Sequence, residues 1–305
     1  MKCGVCKSTG TFYFREHEGV AFCRGCFREN FETRVRRSIS KYHMLETDDH
    51  VTVALSGGKD SLTLLKVLNK IEKRFPRSRL TAVTVDEGIE GYRGEAVRIA
   101  RDQCIKLGVD HRIISFKELY GQSLDELVTE RKLSFPCSYC GVLRRKAINV
   151  IARKVEANKI ATAHNMDDEI QTFILNMFHG DVPRIARSEP FLEDQSGMFL
   201  PRIKPLAECP EKEIVLYAYV TGLDFQTTPC PYASTALRND IRTMLNRLEE
   251  KHAGIKFTIY RSAEHLRELL KTHRSAVTLR RCSSCSEPTT SDLCEACEML
   301  RGVGN

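Results

Sequence analysis

Apolar residues between about positions 45 and 250 recur in two alternating rhythms. Val51 to Leu55 is a short apolar run bounded by polar residues, which reads as a buried strand, and Leu62 to Ile71 has helical spacing. Leu80 to Val85 reads as a second strand and Glu95 to Leu107 as a helix. The segments Ile113 to Phe116, Val142 to Val155, Ile160 to Ala163 and Ile170 to Phe178 continue the alternation, and residues 211–275 read as mainly helical. Strands alternating with helices predict an α/β fold with a doubly wound parallel sheet covered on both faces. Ligands in such folds bind at the carboxyl ends of the strands.

The two ends follow another logic. Cys3-x2-Cys6 and Cys23-x2-Cys26 are sixteen residues apart, within the range for a four-cysteine zinc site. Thr11 to Phe14 and Val20 to Phe22 read as two short strands joined around Gly19. A unit this small cannot fold on apolar burial alone, so tetrahedral zinc is expected to supply the missing stability. Cys282-x2-Cys285 and Cys294-x2-Cys297, eight residues apart, repeat the pattern. Four thiolates leave zinc no open position, so both sites are expected to be structural or to grip a macromolecule. The expected division is an N-terminal zinc module over residues 1–30, a central domain over 31–275 and a C-terminal zinc module over 276–305.

Composition changes this picture little. With 42% hydrophobic and 29% charged residues, no bilayer-length apolar run and no signal segment, a soluble cytoplasmic protein with no membrane association is expected. The net charge of +7 favours a polyanionic partner only slightly. Two basic clusters, Arg34, Arg36, Arg37 and Lys41, then Arg144, Arg145 and Lys146, suit either a solvated helix face or such a partner. Eleven of the thirteen cysteines sit in pairs or beside prolines, whereas Cys104 and Cys209 stand singly and read as packed thiols. Without a secretory signal, metal binding or catalysis explains the pairs better than disulfides.

The sharpest motif is Ser56-Gly57-Gly58-Lys59-Asp60-Ser61, after the first strand and opening the first helix. Two glycines let backbone N–H groups close around phosphate oxygens, the helix N-terminus adds positive potential, and Lys59 adds a point charge. GxxxxGK[ST] is absent, so this is not a Walker A loop. SGGKDS instead resembles the PP-loop of the ATP pyrophosphatases, which split ATP into AMP and pyrophosphate. The resemblance extends to Val85-Asp86-Glu87-Gly88, where the family holds the adenine side of ATP. It extends also to Ala161-Thr162-Ala163-His164-Asn165 with Asp167, Asp168 and Glu169, beside the phosphates and Mg²⁺.

A third cysteine set comprises Pro136-Cys137-Ser138-Tyr139-Cys140 and, ninety residues after Cys140, Pro229-Cys230-Pro231. Such thiols beside a nucleotide permit two readings: two cysteines carrying a persulfide and closing a disulfide, or all three holding a 4Fe–4S cluster with one iron free of protein ligands. Taken with SGGKDS, TAHNMDDE, TPCPY and both terminal knuckles, the chain resembles the TtuA/TtcA group of tRNA thiolases. It matches the TtuA branch, with its archaeal and eukaryotic wobble-uridine relatives, nearly end to end; the TtcA branch lacks the terminal zinc modules.

That resemblance implies cluster ligation by Cys137, Cys140 and Cys230, and catalytic roles for Asp60, Arg144 and Asp168. It implies ATP contacts from Ala54 and Leu55 through Ser56, Gly57, Gly58, Lys59, Asp60 and Ser61, and from Val85, Arg144, Ala163 and His164. Arginine does not deprotonate, so charge stabilisation is the expected role at position 144. The implied reaction is 2-thiolation of a tRNA uridine through adenylation of the base, with ATP as substrate and Mg²⁺, two Zn²⁺ and the 4Fe–4S cluster as metals. The implied partners are tRNA, a ubiquitin-like protein donating sulfur as a C-terminal thiocarboxylate, and a second copy of the chain. Arg238, Arg242 and Arg247 are expected to grip tRNA. Two rivals are another PP-loop ligase, such as a lysidine synthase or an amidotransferase-like ligase, which has no need of the third cysteine set, and a non-enzymatic zinc-ribbon RNA-binding protein, which leaves the phosphate loop idle.

Overall fold

The computed structural model describes residues 1–192, 198–232, 237–270 and 278–302. An antiparallel hairpin, β1 (Tyr13–Arg15) and β2 (Val20–Phe22), leads into helix α1 (Arg24–Lys41). The central region then runs β3 (His50–Ala54), α2 (Lys59–Glu72), β4 (Arg79–Asp86), α3 (Arg93–Leu107), β5 (Asp110–Ser115), α4 (Phe116–Tyr120), α5 (Leu124–Arg131), α6 (Pro136–Lys154), β6 (Lys159–Ala161), α7 (Met166–Phe178), α8 (Val182–Arg187), β7 (Phe191–Leu192) and β8 (Arg202–Ile203). Helices α9 (Glu211–Val220), α10 (Leu237–Lys251) and α11 (Ile255–Leu270) follow, then a small hairpin, β9 (Arg280–Arg281) and β10 (Pro288–Thr289), and α12 (Glu295–Arg301).

The central sheet has the order β5-β4-β3-β6-β8-β7, parallel except for the antiparallel edge pair β7–β8. The chain enters at β3, winds outward through β4 and β5, and returns to β6 on the other side of β3. The strand order therefore reverses between β3 and β6, which opens a crevice at their carboxyl ends. Strand β3 can be central because Val51, Thr52 and Val53 are buried on both faces.

The N-terminal hairpin is fused to this core. Phe22, Phe27 and Phe31 join Leu64, Leu65 and Leu68 of α2 in one apolar cluster, and Phe31 stacks on Tyr217 of α9 with ring centroids 4.5 Å apart. Buried Arg15 pairs with buried Glu213 of α9 at 2.8 Å, and Arg34 reaches the same carboxylate at 3.0 Å. The expected boundary at residue 30 falls inside α1, which continues for eleven residues because Phe31, Glu32, Val35 and Ser38 are buried on one side. The boundary at 275, and the helical reading of 271–275, lie outside the described residues.

The C-terminal module packs against α5 and α6. Cys282, Cys294, Ala296 and Cys297 share a cluster with Leu124, Leu127 and Leu143. Arg131 donates to the carbonyls of Met299 and Leu300, and Arg153 pairs with Glu287.

The ends of several elements depart from the periodicity, β5 and α6 for reasons that single residues supply. Strand β5 begins at Asp110 and hands over at Ser115, whose side chain and Glu118 form a capping box that makes Phe116 helical. Helix α6 begins at Pro136, not Val142: proline at the first helical position has the φ a helix needs and no N–H to waste. Cys137 and Cys140 thus lie about one turn apart at the start of α6. Of the basic residues on α1, Arg34 and Lys41 are held in ion pairs to Glu213, Glu208 and Glu264.

Candidate active site

The phosphate loop joins β3 to α2 at the crevice. Gly57 has φ +86°, and a Cβ there would lie 2.5 Å from the Ala96 carbonyl oxygen, so no other residue fits. The Ser61 hydroxyl donates to the Gly58 carbonyl at 3.0 Å and accepts from the Ser56 N–H at 3.1 Å, closing the loop on itself. Lys59 Nζ lies 2.8 Å from both Asp60 Oδ2 and Glu211 Oε1. Burial disfavours its charge, but those two carboxylates outweigh it and raise its pKa.

Helix α7 starts from the opposite wall. Asn165 caps it, accepting from the Asp168 N–H at 3.0 Å, while its Nδ2 donates to Asp60 Oδ1 at 3.1 Å. One asparagine therefore sets the spacing of Asp60 and Asp168. Burial, opposed by the Asn165 N–H and reinforced by the charges of Asp60 and Glu211, pushes the Asp168 carboxyl up to about 6. A proton or a cation between these carboxylates would relieve that repulsion. His164, open to the cleft yet deep among protein atoms, is held neutral: burial and the cations Lys204, Arg238 and Arg202 bring it down to about 4. Its Nδ1 lies 2.9 Å from Thr162 Oγ1.

A cavity of about 410 Å³ fills the crevice. Ala54, Leu55, Ser56, Asp60, Ser61, Val85, Arg144, Ala163, His164 and Asp168 all line it. Gly57, Gly58 and Lys59 do not; Lys59 faces a neighbouring cavity of about 660 Å³ between the N-terminal hairpin and α9–α11. Arg238, expected to grip tRNA, lies in the cleft 3.8 Å from Asp168, and Arg242 pairs with Glu211 at 3.0 Å. Arg247 is exposed.

The third cysteine set meets this cleft from above. Cys137 Sγ donates to the Tyr232 carbonyl at 3.0 Å, two residues beyond Cys230. Burial pushes the Cys140 thiol up to about 11, with Arg144 opposing and Glu87, Cys230 and Cys137 adding to the rise. Arg144, one turn after Cys140 on the same face of α6, pairs with Glu87 at 3.4 Å. Glu87 is buried and also holds buried Arg93 at 2.6 Å, whose guanidinium donates to the Val85 and Ser56 carbonyls at 2.9 and 2.7 Å. Arg93, Arg202 and Glu211 escaped the sequence reading. Arg93 carried a faint signal, a charged residue at the start of a helix beginning five residues after the Val85-Asp86-Glu87-Gly88 turn; the others carried none.

The terminal cysteines form two tight groups. The ligand atoms of Cys3, Cys6, Cys23 and Cys26 lie within 4.8 Å of one another, as do those of Cys282, Cys285, Cys294 and Cys297. Zinc–sulfur bonds of about 2.3 Å in a tetrahedron place sulfurs roughly 3.8 Å apart. The Cys6–Cys23 and Cys285–Cys294 sulfurs are 3.7 and 3.6 Å apart, so both sets fit a single zinc ion. Both knuckles also turn alike, with Lys7 and Ser286, each following a second cysteine, at φ +62° and +60°. Lys146 Nζ approaches Cys297 Sγ at 3.5 Å. Among the described residues Cys137, Cys140 and Cys230 form no such tight group. Cys104 and Cys209 are buried away from these sets, and burial pushes each thiol up to about 12.

Comparison with known proteins agrees with this geometry. A family model for a PP-loop domain matches residues 28–249. A tRNA-5-methyluridine(54) 2-sulfurtransferase of Pyrococcus horikoshii is 34% identical over 98% of this chain and 93% of its own. A Dictyostelium discoideum relative named cytoplasmic tRNA 2-thiolation protein 1 is 34% identical over 99% of this chain and 84% of its own. The solved structure of a U34-tRNA thiolase from Methanococcus maripaludis with its 4Fe–4S cluster superposes with a TM-score of 0.86 at 34% identity, covering 100% of this chain and 97% of that one. Matched along nearly its whole length and carrying a PP-loop domain at its centre, the chain belongs to the TtuA-type family of PP-loop tRNA thiolases.

Proposed function

We propose that this protein is an ATP-dependent tRNA sulfurtransferase that replaces the C2 oxygen of a uridine with sulfur. The observation that carries this reading is the meeting of three thiols with a PP-loop cleft across Arg144, since a PP-loop ligase of another kind has no use for Cys137, Cys140 and Cys230. A 4Fe–4S cluster on those thiols supplies, when bound, an iron without a protein ligand, the chemistry a terminal sulfur needs.

ATP lies with its phosphates toward Ser56–Ser61 and its adenine toward Val85. The uridine C2 oxygen attacks the α-phosphorus, the bond to the bridging oxygen breaks, and pyrophosphate leaves. Lys59, released from Glu211, and Arg144, oriented by Glu87, offset the charge developing at phosphorus. Asp60 and Asp168 would hold Mg²⁺, which would offset the like charge that raises the Asp168 carboxyl and the charge developing on the phosphates. Hydrosulfide then attacks C2, the C2–O bond breaks, AMP departs with the former C2 oxygen, and loss of the sulfur proton leaves the C2 thiocarbonyl. The target base must leave its stack to enter the cleft.

In this reading the terminal modules, residues 1–30 and 276–305, hold one zinc each, a ubiquitin-like thiocarboxylate protein delivers the sulfur, and the chain works as a homodimer in the cytoplasm, where its Dictyostelium relative is named. The relatives' names point to two positions, uridine 34 and 5-methyluridine 54. The test is anaerobic incubation with ATP, tRNA and sulfide, followed by separation of nucleotides and modified nucleosides. AMP and a 2-thiolated nucleoside are expected, with its position read by digestion of the tRNA. ADP as the main product, or full thiolation by Asp60→Ala or Asp168→Ala, would end this reading.

A further inference from the structure

Among the described residues, Gln226, which no motif marks, ties the loop that carries Cys230 to the phosphate loop. Leaving α9, the chain is first held where Lys66 Nζ donates to the Thr221 carbonyl at 2.9 Å. Gln226 then makes two contacts. Its backbone N–H donates to the carbonyl of Gly57 at 3.0 Å, and its side-chain amide donates to the carbonyl of Tyr92 at 2.7 Å. The next residue, Arg93, donates to the Ser56 carbonyl at 2.7 Å. The contacts close a ring: phosphate loop to Gln226, Gln226 to Tyr92, Arg93 back to the phosphate loop. Gly57 has little room to shift toward Ala96, whose carbonyl oxygen lies 2.5 Å from where a Cβ at position 57 would stand. Four residues past Gln226 comes Cys230, and the Tyr232 carbonyl beyond it accepts from Cys137.

We infer that Gln226 is a positioning residue that couples occupancy of the phosphate loop to the geometry of the three-thiol site, so that ATP binding sets the Cys230 loop for sulfur transfer. This rests on the reading of Ser56–Ser61 as the ATP cradle. The coupling runs through the backbone. Phosphate oxygens drawn to the loop N–H groups reorient the peptides whose carbonyls Gln226 and Arg93 hold, and the ring passes that shift to residues 226–230. Methionine at 226 keeps the size and the backbone bond but loses the donor to Tyr92. It should loosen the loop without unfolding it.

The experiment measures iron release to a ferrous chelator from the cluster-loaded full chain, with and without a non-hydrolysable ATP analogue and Mg²⁺. In the unsubstituted protein the analogue should change the release rate by at least about fivefold, the low end of measured coupling between sites. Gln226→Met should abolish that change while binding the analogue within about twofold of normal and melting at the same temperature. Gln226→Lys, which restores a donor, should recover part of it. Thiolation by Gln226→Met should show lowered kcat with unchanged KM for ATP. An unaltered nucleotide effect in Gln226→Met, or no effect in the unsubstituted protein, overturns the inference. A chain that binds the analogue but holds no iron would sink the cluster reading instead. The same comparison is then read from the alkylation rate of Cys230, with the same two outcomes. No binding of the analogue at all overturns both.

Discussion

Replacing Glu213 with glutamine should destabilise the whole protein, not only its N-terminal hairpin. Glu213 and Arg15 are each about 1% exposed, and Arg34 at 14% reaches the same carboxylate, so two guanidiniums depend on one buried charge. Glutamine preserves the volume but removes the buried charge, leaving both arginines only the half-exposed Glu18 carboxylate, 2.8 Å from Arg15 and 3.7 Å from Arg34. Breaking a buried pair from one side costs about 3–5 kcal/mol. For a chain this large roughly 2 °C of Tm is lost per kcal/mol, so a drop of about 6–10 °C is expected. The pair joins β1 to the first turn of α9, and two residues earlier that turn presents Glu211 to Lys59. The damage should therefore reach the cleft as a weaker ATP interaction. Calorimetric or fluorescence melting of Glu213→Gln, beside a Glu213→Leu, Arg15→Met double variant, is the assay. The double variant should melt above the single one, because it removes a buried charge together with its partner. A fall below about 2 °C in the single variant would mean that Glu18 and water suffice for the arginines, and the argument for a fused N-terminal unit would fail.

Three further outcomes follow from the geometry. Gly57→Ala forces a left-handed residue, costing about 1–2 kcal/mol, and drives a methyl into the Ala96 carbonyl, so ATP binding should weaken at least about tenfold in equilibrium titration while the fold persists. Cys285→Ser should release zinc and also lower iron content, because the C-terminal module shares its core with α6, which bears Cys137 and Cys140; metal analysis showing zinc loss with iron unchanged would contradict this. Burial, aided by Arg101, brings His111 down to about 4 from an unfolded value near 6.5, so the unfolded chain takes up a proton first as pH falls. Stability conferred by the neutral ring should be complete above pH 6.5 and lost progressively toward pH 4, by up to roughly 3 kcal/mol in urea titrations, a slope that His111→Asn should flatten.

What the chain determined by itself is what short-range chemistry can specify. The phosphate loop, the two knuckles and the strands β3, β4 and β6 each depend on neighbours within about twenty residues, where cysteine spacing, glycine pairs and apolar runs leave a direct trace. The family resemblance is carried by those same local segments. The ends of elements were less legible: Ser115 with Glu118 and Pro136 set the starts of α4 and α6 through single caps, and the two-residue strands β7 and β8 are too short for any period. Only the tertiary structure decided how these pieces were joined. Arg15 met Glu213 across 198 positions of sequence, Lys59 met Glu211, Lys146 met Cys297, and Gln226 met Tyr92. A lone charged or amide residue looks the same in sequence whether it is solvated or paired. Its partner is chosen by how the sheet winds outward from β3 and back to β6, and by which helix is then packed against it. That winding turned two apparent zinc appendages into parts of the core, and made Glu87, Arg93 and Gln226 the ties between the nucleotide cleft and the three thiols.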